Sequence, residues 1–180
     1  MPVEEALARR RSVRRFTATK LSLEQVGQLA WAAQGITHQT RGFRTAPSAG
    51  ALYPLEIYVV KQDGIFHYMP QGHRMLQISQ EDVRRPLAQA ALGQAFIAEA
   101  PVDFVISAVY ERTRSKYGNR AERYVHIEAG HAGQNIHLQA VALGLGSVPV
   151  GAFDDRAVSK ALGLPPNERP LYIIPVGHAR

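Results

Sequence analysis

Apolar positions spaced three and four apart alternate along the chain with runs of period two, so helices and strands are interleaved. The clearest helical stretch begins at Ser22. Leu23, Val26, Leu29 and Ala33 trace one face, Ser22 and Gln25 have capping-box spacing, and Gly35 reads as the stop. A shorter helix is predicted over 2–11, with Pro2 in its first turn, Glu4 and Glu5 at the positive end and arginines at the other. Segments 56–61 and 65–68 read as strands joined through the hairpin dipeptide Asp63-Gly64. A strand over 75–78 follows, then a helix capped by Ser79 and carrying Val83, Leu87 and Leu92. Pro101 opens a strand over 102–110 whose apolar run predicts cover on both faces. The longest pattern, 120–145, predicts one helix about 39 Å long. Its second half, 136–145, is apolar on most sides and marks a central buried helix, ended by Gly144 and Gly146. A strand over 147–150, a helix capped by Asp154 and a last strand over 171–176 complete the pattern, while 36–54 reads as irregular. The class is α+β, with a central mixed sheet flanked by helices.

A chain of 180 residues predicts a single domain over 1–180. It has no cysteine, which excludes disulfide scaffolds, thiolate zinc sites and cysteine nucleophiles. No apolar run reaches the roughly 20 residues of a membrane helix, and the N-terminal stretch lacks a signal peptide's apolar region. A cytoplasmic location and no membrane partner are expected. The net charge is +6, and Arg9, Arg10, Arg11, Arg14 and Arg15 carry nearly all of the excess.

Several chemistries are absent. There is no P-loop, no HExxH and no GxSxG. Gly144-Leu145-Gly146 ends a helix, and Pro149 stands where a dinucleotide fingerprint needs its third glycine. His126, His131 and His137 share the long helix. His126 and His137 fall on one face but about 16 Å apart, too far to share a metal. Glu128 and His131 make one Glu-x-x-His unit where a di-iron bundle needs two. These histidines read as hydrogen-bonded helix residues, and no metal is expected.

Two segments carry chemistry. Arg10, Arg11, Ser12 and Arg14 place guanidinium forks and a hydroxyl close together, donors matched to phosphate oxygens. The basic cluster over 9–15 reads alternatively as a solvated helix end or as a nucleic-acid patch, for which Phe16 is the sole neighbouring aromatic. From Thr45 to Pro54, small residues and glycine let backbone approach a flat ligand, and plain turn chemistry gives the same pattern.

Together these segments resemble a known family. Arg10-Arg11-Ser12-Val13-Arg14-Arg15-Phe16 resembles the phosphate-binding start of the FMN-dependent nitroreductase superfamily. Pro47-Ser48-Ala49-Gly50-Ala51-Leu52-Tyr53-Pro54 resembles its SagB-type branch, the thiazoline/oxazoline dehydrogenases. Lys116-Tyr117-Gly118, Glu128-Ala129-Gly130-His131, Gln134-Asn135 and Val148-Pro149-Val150-Gly151 follow in the same order, so the resemblance covers nearly the whole chain.

The resemblance implies a nitroreductase-like fold, an FMN cofactor, two-electron (hydride) ping-pong transfer and a homodimer built around the long central helix. It assigns Arg10, Ser12 and Arg14 to the flavin phosphate and its neighbouring oxygens, with Arg11 acting through its backbone. Pro47, Ser48, Ala49 and Gly50 reach the flavin from the partner subunit, and Pro149, Val150 and Gly151 form the backbone strip beside its reactive N5. Many relatives place basic residues beyond the last strand on the phosphate; this sequence departs from that pattern, and Arg180 is the one residue for that part. Lys116, Tyr117 and Tyr124 are the candidates for assisting proton removal. A nicotinamide donor and a small-molecule or peptide-azoline acceptor are the implied partners. The alternative is a non-catalytic flavin- or nucleic-acid-binding module built on the 9–15 cluster.

Overall fold

The computed structural model describes all 180 residues. A six-stranded sheet, in the order β5-β4-β3-β6-β8-β7, organises the molecule. Its strands are β3 (Leu55–Lys61), β4 (Gly64–Met69), β5 (Arg74–Ser79), β6 (Val102–Ala108), β7 (Gly146–Ser147) and β8 (Arg169–Gly177). All five ladders are antiparallel. The parallel component that makes the sheet mixed is a bridge from Ser12 to Ser147.

Alternation along β3 and β6 feeds two cores. On one face Ile57, Val59, Phe104 and Ile106 meet α2 (Leu23–Gln34) and α6 (Ala121–Ala142) through Leu29, Ala33, Val125 and Ile136. On the other, Val60, Val105 and Ile173 meet α3 (Arg84–Ala90), α4 (Ala95–Glu99) and α7 (Asp155–Leu162) through Leu87, Ile97 and Val158. Strand β6 is buried at all seven positions, as its apolar run predicts.

Several predicted bounds move. The first helix is α1, Val3–Arg9. Helix α2 keeps both halves of its capping box, but its Leu23 is 72% exposed. Gly35 ends α2 without left-handed backbone; a Cβ there would lie 2.1 Å from the Trp31 ring. Ser79 does not cap a helix. It pairs with Ile65 as the last residue of β5, and α3 starts five positions later with Leu92 beyond its end. The strand over 102–110 stops at Ala108, and Tyr110 opens a helix the sequence reading missed, α5 (Tyr110–Tyr117). Gly118, at φ +53, ends α5 before α6 begins. The central helix therefore has 22 residues, and in its second half Ile136, His137 and Ala140 are buried while Leu138 and Val141 are half-buried. The segment read as irregular holds a small hairpin of β1 (Ile36–His38) and β2 (Phe43–Arg44). The strand over 147–150 reduces to β7 and a bridge between Val150 and Ile173. No helix is long and apolar enough to cross a membrane.

Candidate active site

After α1 the chain runs extended and is stitched into the sheet edge. Val13 N–H donates to Ser147 O at 3.0 Å, Thr17 N–H to His178 O at 2.9 Å and Arg180 N–H to Arg15 O at 3.1 Å. Phe16 is buried, and Val13 packs so closely on Gly146 that a Cβ there would sit 2.7 Å from it. This stitching holds Arg10 to Arg14 directly beside the chain leading to Pro149, Val150 and Gly151.

The arginines differ in their engagements. Arg10 Nη1 lies 3.1 Å from His137 Nε2. Arg11 Nη1 folds back onto the carbonyls of Ala8 and Arg10, at 2.9 and 2.7 Å. Ser12, Arg14 and Arg15 are exposed, and neither Arg14 nor Arg15 belongs to any of the salt bridges. Arg180 shares a surface hollow with Arg15, Phe16 and Glu99.

Within the 149–151 strip the backbone donors are unequal. Pro149 has no N–H. Val150 N–H is committed to Ile173 O at 2.8 Å. Gly151 is exposed, and the nearest atom to a Cβ built on it is on Tyr172, 3.7 Å away. Its N–H is the one donor of the strip outside the sheet ladder.

A second group forms at the loop over 45–53. Its root is fixed by Thr45 N–H to Gly35 O at 2.9 Å and Asn135 Nδ2 to Thr45 O at 3.3 Å. At its tip Pro47 and Gly50 are exposed, and Ser48 and Ala49 half-buried. Gly50 has φ +63, and a Cβ there would lie 3.0 Å from Tyr117 Oη and 3.2 Å from Lys116 Nζ. Tyr117 and Tyr124 meet edge to face, centroids 5.0 Å apart, and Arg120 Nε donates to Tyr124 Oη at 3.0 Å. The three residues proposed for proton removal are thus brought together, against the loop.

Glu128 belongs to this group as well. It is buried on α6, with Ser48, Arg44 and Gln34 as its polar neighbours, and its Oε1 has no hydrogen-bond partner. Burial pushes its pKa up to about 7, against the pull of Ser48, Arg44 and Gln34. The sequence reading placed Glu128 only in a motif. The available signal was its position in register with the buried Val125 and Ala132 of α6. Two of the helix histidines have separate partners: His126 Nε2 meets Tyr110 Oη at 2.7 Å, and His137 Nδ1 faces Ser147 Oγ, whereas His131 is exposed and makes no side-chain hydrogen bond.

The two groups leave α6 in opposite directions. Asn135 points to the loop and His137 to the arginines. Positions two apart on a helix, such as Asn135 and His137, point about 200° apart, so the helix stands between the groups within one protomer. A cavity of about 680 Å³ between α2 and β3 to β5, lined by Val26, Gly27, Phe66, Tyr68 and His73 among others, contains none of the predicted site residues.

Residues 7–178 match the Nitroreductase family. A candidate nitroreductase of Methanocaldococcus jannaschii is 47% identical over 97% of this chain and 90% of its own length. The microcin B17-processing protein McbC of Escherichia coli is 27% identical over 67% of this chain, which spans 48% of McbC. Among solved structures, a candidate nitroreductase of Ralstonia eutropha superposes with a TM-score of 0.91 at 30% identity, over all of this chain and 84% of that one. The chain belongs to the nitroreductase family, a family of oxidoreductases, and has its fold.

Proposed function

We propose that residues 1–180 form one FMN-binding domain that works as a homodimeric oxidoreductase of the SagB-type branch. The observation that carries this reading is the pairing of exposed Ser12 and Arg14 with the Gly151 donor through the Val13–Ser147 backbone bond. Phosphate oxygens suit the first pair, and a flavin ring nitrogen suits the second. The absence of a side chain at Gly151 leaves room for a flat ring. When bound, FMN supplies the two-electron chemistry.

The chain's own residues have separable tasks. Arg14 and Ser12, with the free N–H groups of Arg10, hold the phosphate. Arg180 lies farther along the same edge, beside Arg15. Gly151 N–H orients the ring. Because α6 separates the arginines from the 47–50 loop, each protomer offers Pro47, Ser48, Ala49, Gly50, Lys116, Tyr117 and Tyr124 to its partner's flavin. Lys116 and Tyr117 then stand ready to accept or return a proton at the substrate, with Tyr124 packed behind Tyr117. The likeness to McbC supports a peptide substrate; a peptide azoline would enter as the electron donor, losing a hydride and a proton, rather than as the acceptor. A small-molecule acceptor reduced at the expense of a nicotinamide donor is the other substrate class.

Purified protein should show a flavin absorption band, and the released cofactor should co-chromatograph with FMN. Light scattering should give a dimer, and NADH, NADPH and an acceptor panel then assign the substrates. Colourless protein after reconstitution, or a stable flavin-bearing monomer, defeats the reading. Colourless protein retained on DNA would instead support the nucleic-acid alternative.

A further inference from the structure

We propose that Arg112 is a positioning residue for Lys116 and Tyr117: it clamps the turn over 48–53 in a left-handed shape that seats Gly50 against both side chains. The inference rests on the role given above to Lys116 and Tyr117.

The turn is conformationally costly. Gly50, Ala51 and Tyr53 all have positive φ, at 63°, 54° and 46°. Residues other than glycine stay in that region only where their surroundings over-determine it. Tyr53 is held at four points. Its N–H donates to Ser48 Oγ at 2.9 Å. Its carbonyl accepts from Arg112 Nη1 at 3.0 Å. Its Oη accepts from the Arg44 N–H at 3.3 Å, and the Arg44 guanidinium lies 4.5 Å from its ring centroid.

Of these holds, Arg112 alone reaches the turn from α5. It lies one helical turn before Lys116, on the same face. One guanidinium therefore ties the shape of the turn to the helix that carries the proposed proton-handling pair. Its other arm, Nη2, donates to Glu56 Oε1. Glu56 Oε2 is held independently by His67 Nε2 at 2.7 Å, so removing Arg112 leaves that half-buried carboxylate with a partner. A lysine at 112 has a single point charge and can satisfy only one of the two acceptors well.

The test uses the full chain reconstituted with FMN. Amide exchange at Tyr53 reads the clamp through the Tyr53 N–H to Ser48 Oγ bond, which opens when the turn loosens. Arg112→Ala should speed it roughly ten- to hundredfold, the loss of one charge-assisted hydrogen bond. Arg112→Lys should recover part of the protection, and Arg112→Gln gives the same ordering where alanine compromises folding. Visible circular dichroism of bound FMN reads the consequence: Arg112→Ala should reproduce the change caused by Lys116→Ala, with Arg112→Lys in between. Unchanged Tyr53 exchange overturns the clamp. Faster exchange with a wild-type flavin spectrum, where Lys116→Ala alters that spectrum, overturns the positioning role. A spectrum that neither substitution moves removes the reading of Lys116 itself, and the positioning role with it, while Tyr53 exchange still decides the clamp.

Discussion

Arg10 and His137 face one another at 3.1 Å, Nη1 to Nε2, and this contact fixes the tautomer of a buried imidazole. A guanidinium can only donate, so Nε2 accepts and the proton sits on Nδ1, towards Ser147 Oγ. Burial first, and the Arg10 charge second, push the His137 pKa down to about 4. The unfolded chain takes up this proton near the ordinary histidine value of about 6.5. The group's stabilising contribution is therefore complete above that pH and is lost as pH falls towards about 4. Denaturation midpoints should drop across this window in the wild type and drop less in His137→Gln. An NMR titration of His137 centred near the ordinary value would contradict the assignment.

Flavin affinity should separate the arginines. Arg14→Ala should weaken FMN binding about ten- to hundredfold, the worth of one charge-assisted contact. Arg10→Ala should lose a similar amount and also raise the His137 pKa. Arg15→Ala should matter far less, since Arg15 lies outside the Arg10, Ser12, Arg14 spacing and lines a hollow with Phe16, Glu99 and Arg180. Fluorescence titration with FMN measures all three. Equal, small losses would mean that the cluster is only a solvated basic face.

Gly50→Ala should damage the second group. The backbone there has φ +63, and the new methyl would press on Tyr117 Oη and Lys116 Nζ. We expect a stability loss of about 1 kcal/mol from the backbone alone, read as a lower urea midpoint, together with reduced turnover. Gly50→Asn, better suited to left-handed backbone, should recover part of the stability but not the turnover. Wild-type behaviour in Gly50→Ala would show that the loop does not need this shape.

Asp103 is fully buried in β6, and neither carboxyl oxygen has a partner. Burial raises its pKa well above the usual range, with Arg84 pulling the other way. Because the folded value is raised, its contribution is complete below the unfolded value of about 3.9 and is lost as pH rises from there through the raised folded value. Asp103→Asn should remove that decline. Asp103→Val should raise stability near neutral pH by about 1–3 kcal/mol, the penalty for an unsatisfied buried polar group. A valine variant less stable than wild type at neutral pH would show that the carboxyl has a partner after all.

Local chemistry was legible wherever one short segment decides the outcome. Ser22 and Gln25 form both halves of their capping box, and Asp63-Gly64 joins β3 to β4. The misses have a different origin. Ser79 satisfies the Glu81 N–H through its hydroxyl, a capping-like bond, yet its backbone continues the β4–β5 ladder, and no helix follows directly. Tyr110 extends an apolar run, but the β3–β6 register has by then reached Pro54, which accepts from Val109 N–H and has no N–H to return, and α5 starts at the next residue. The site followed the same division. Arg10, Ser12, Arg14, Lys116 and Tyr117 stand out in short motifs. The burial of Glu128 beside Ser48, Arg44 and Gln34, the commitment of Val150 N–H and the Arg112 clamp all depend on partners far away in sequence, and no local pattern announces them.

In the proposed dimer, helix α6, with the arginines on one side and the 47–50 loop on the other, would make each reaction centre the joint property of two chains. That arrangement has a genetic signature. An Arg14→Ala chain and a Lys116→Ala chain should each be impaired as homodimers at limiting FMN, yet a mixed pair would contain one centre with both defects and one with neither. Co-expression should therefore restore activity to at most half the wild-type level per mixed dimer, whereas a centre built within a single chain would show no complementation.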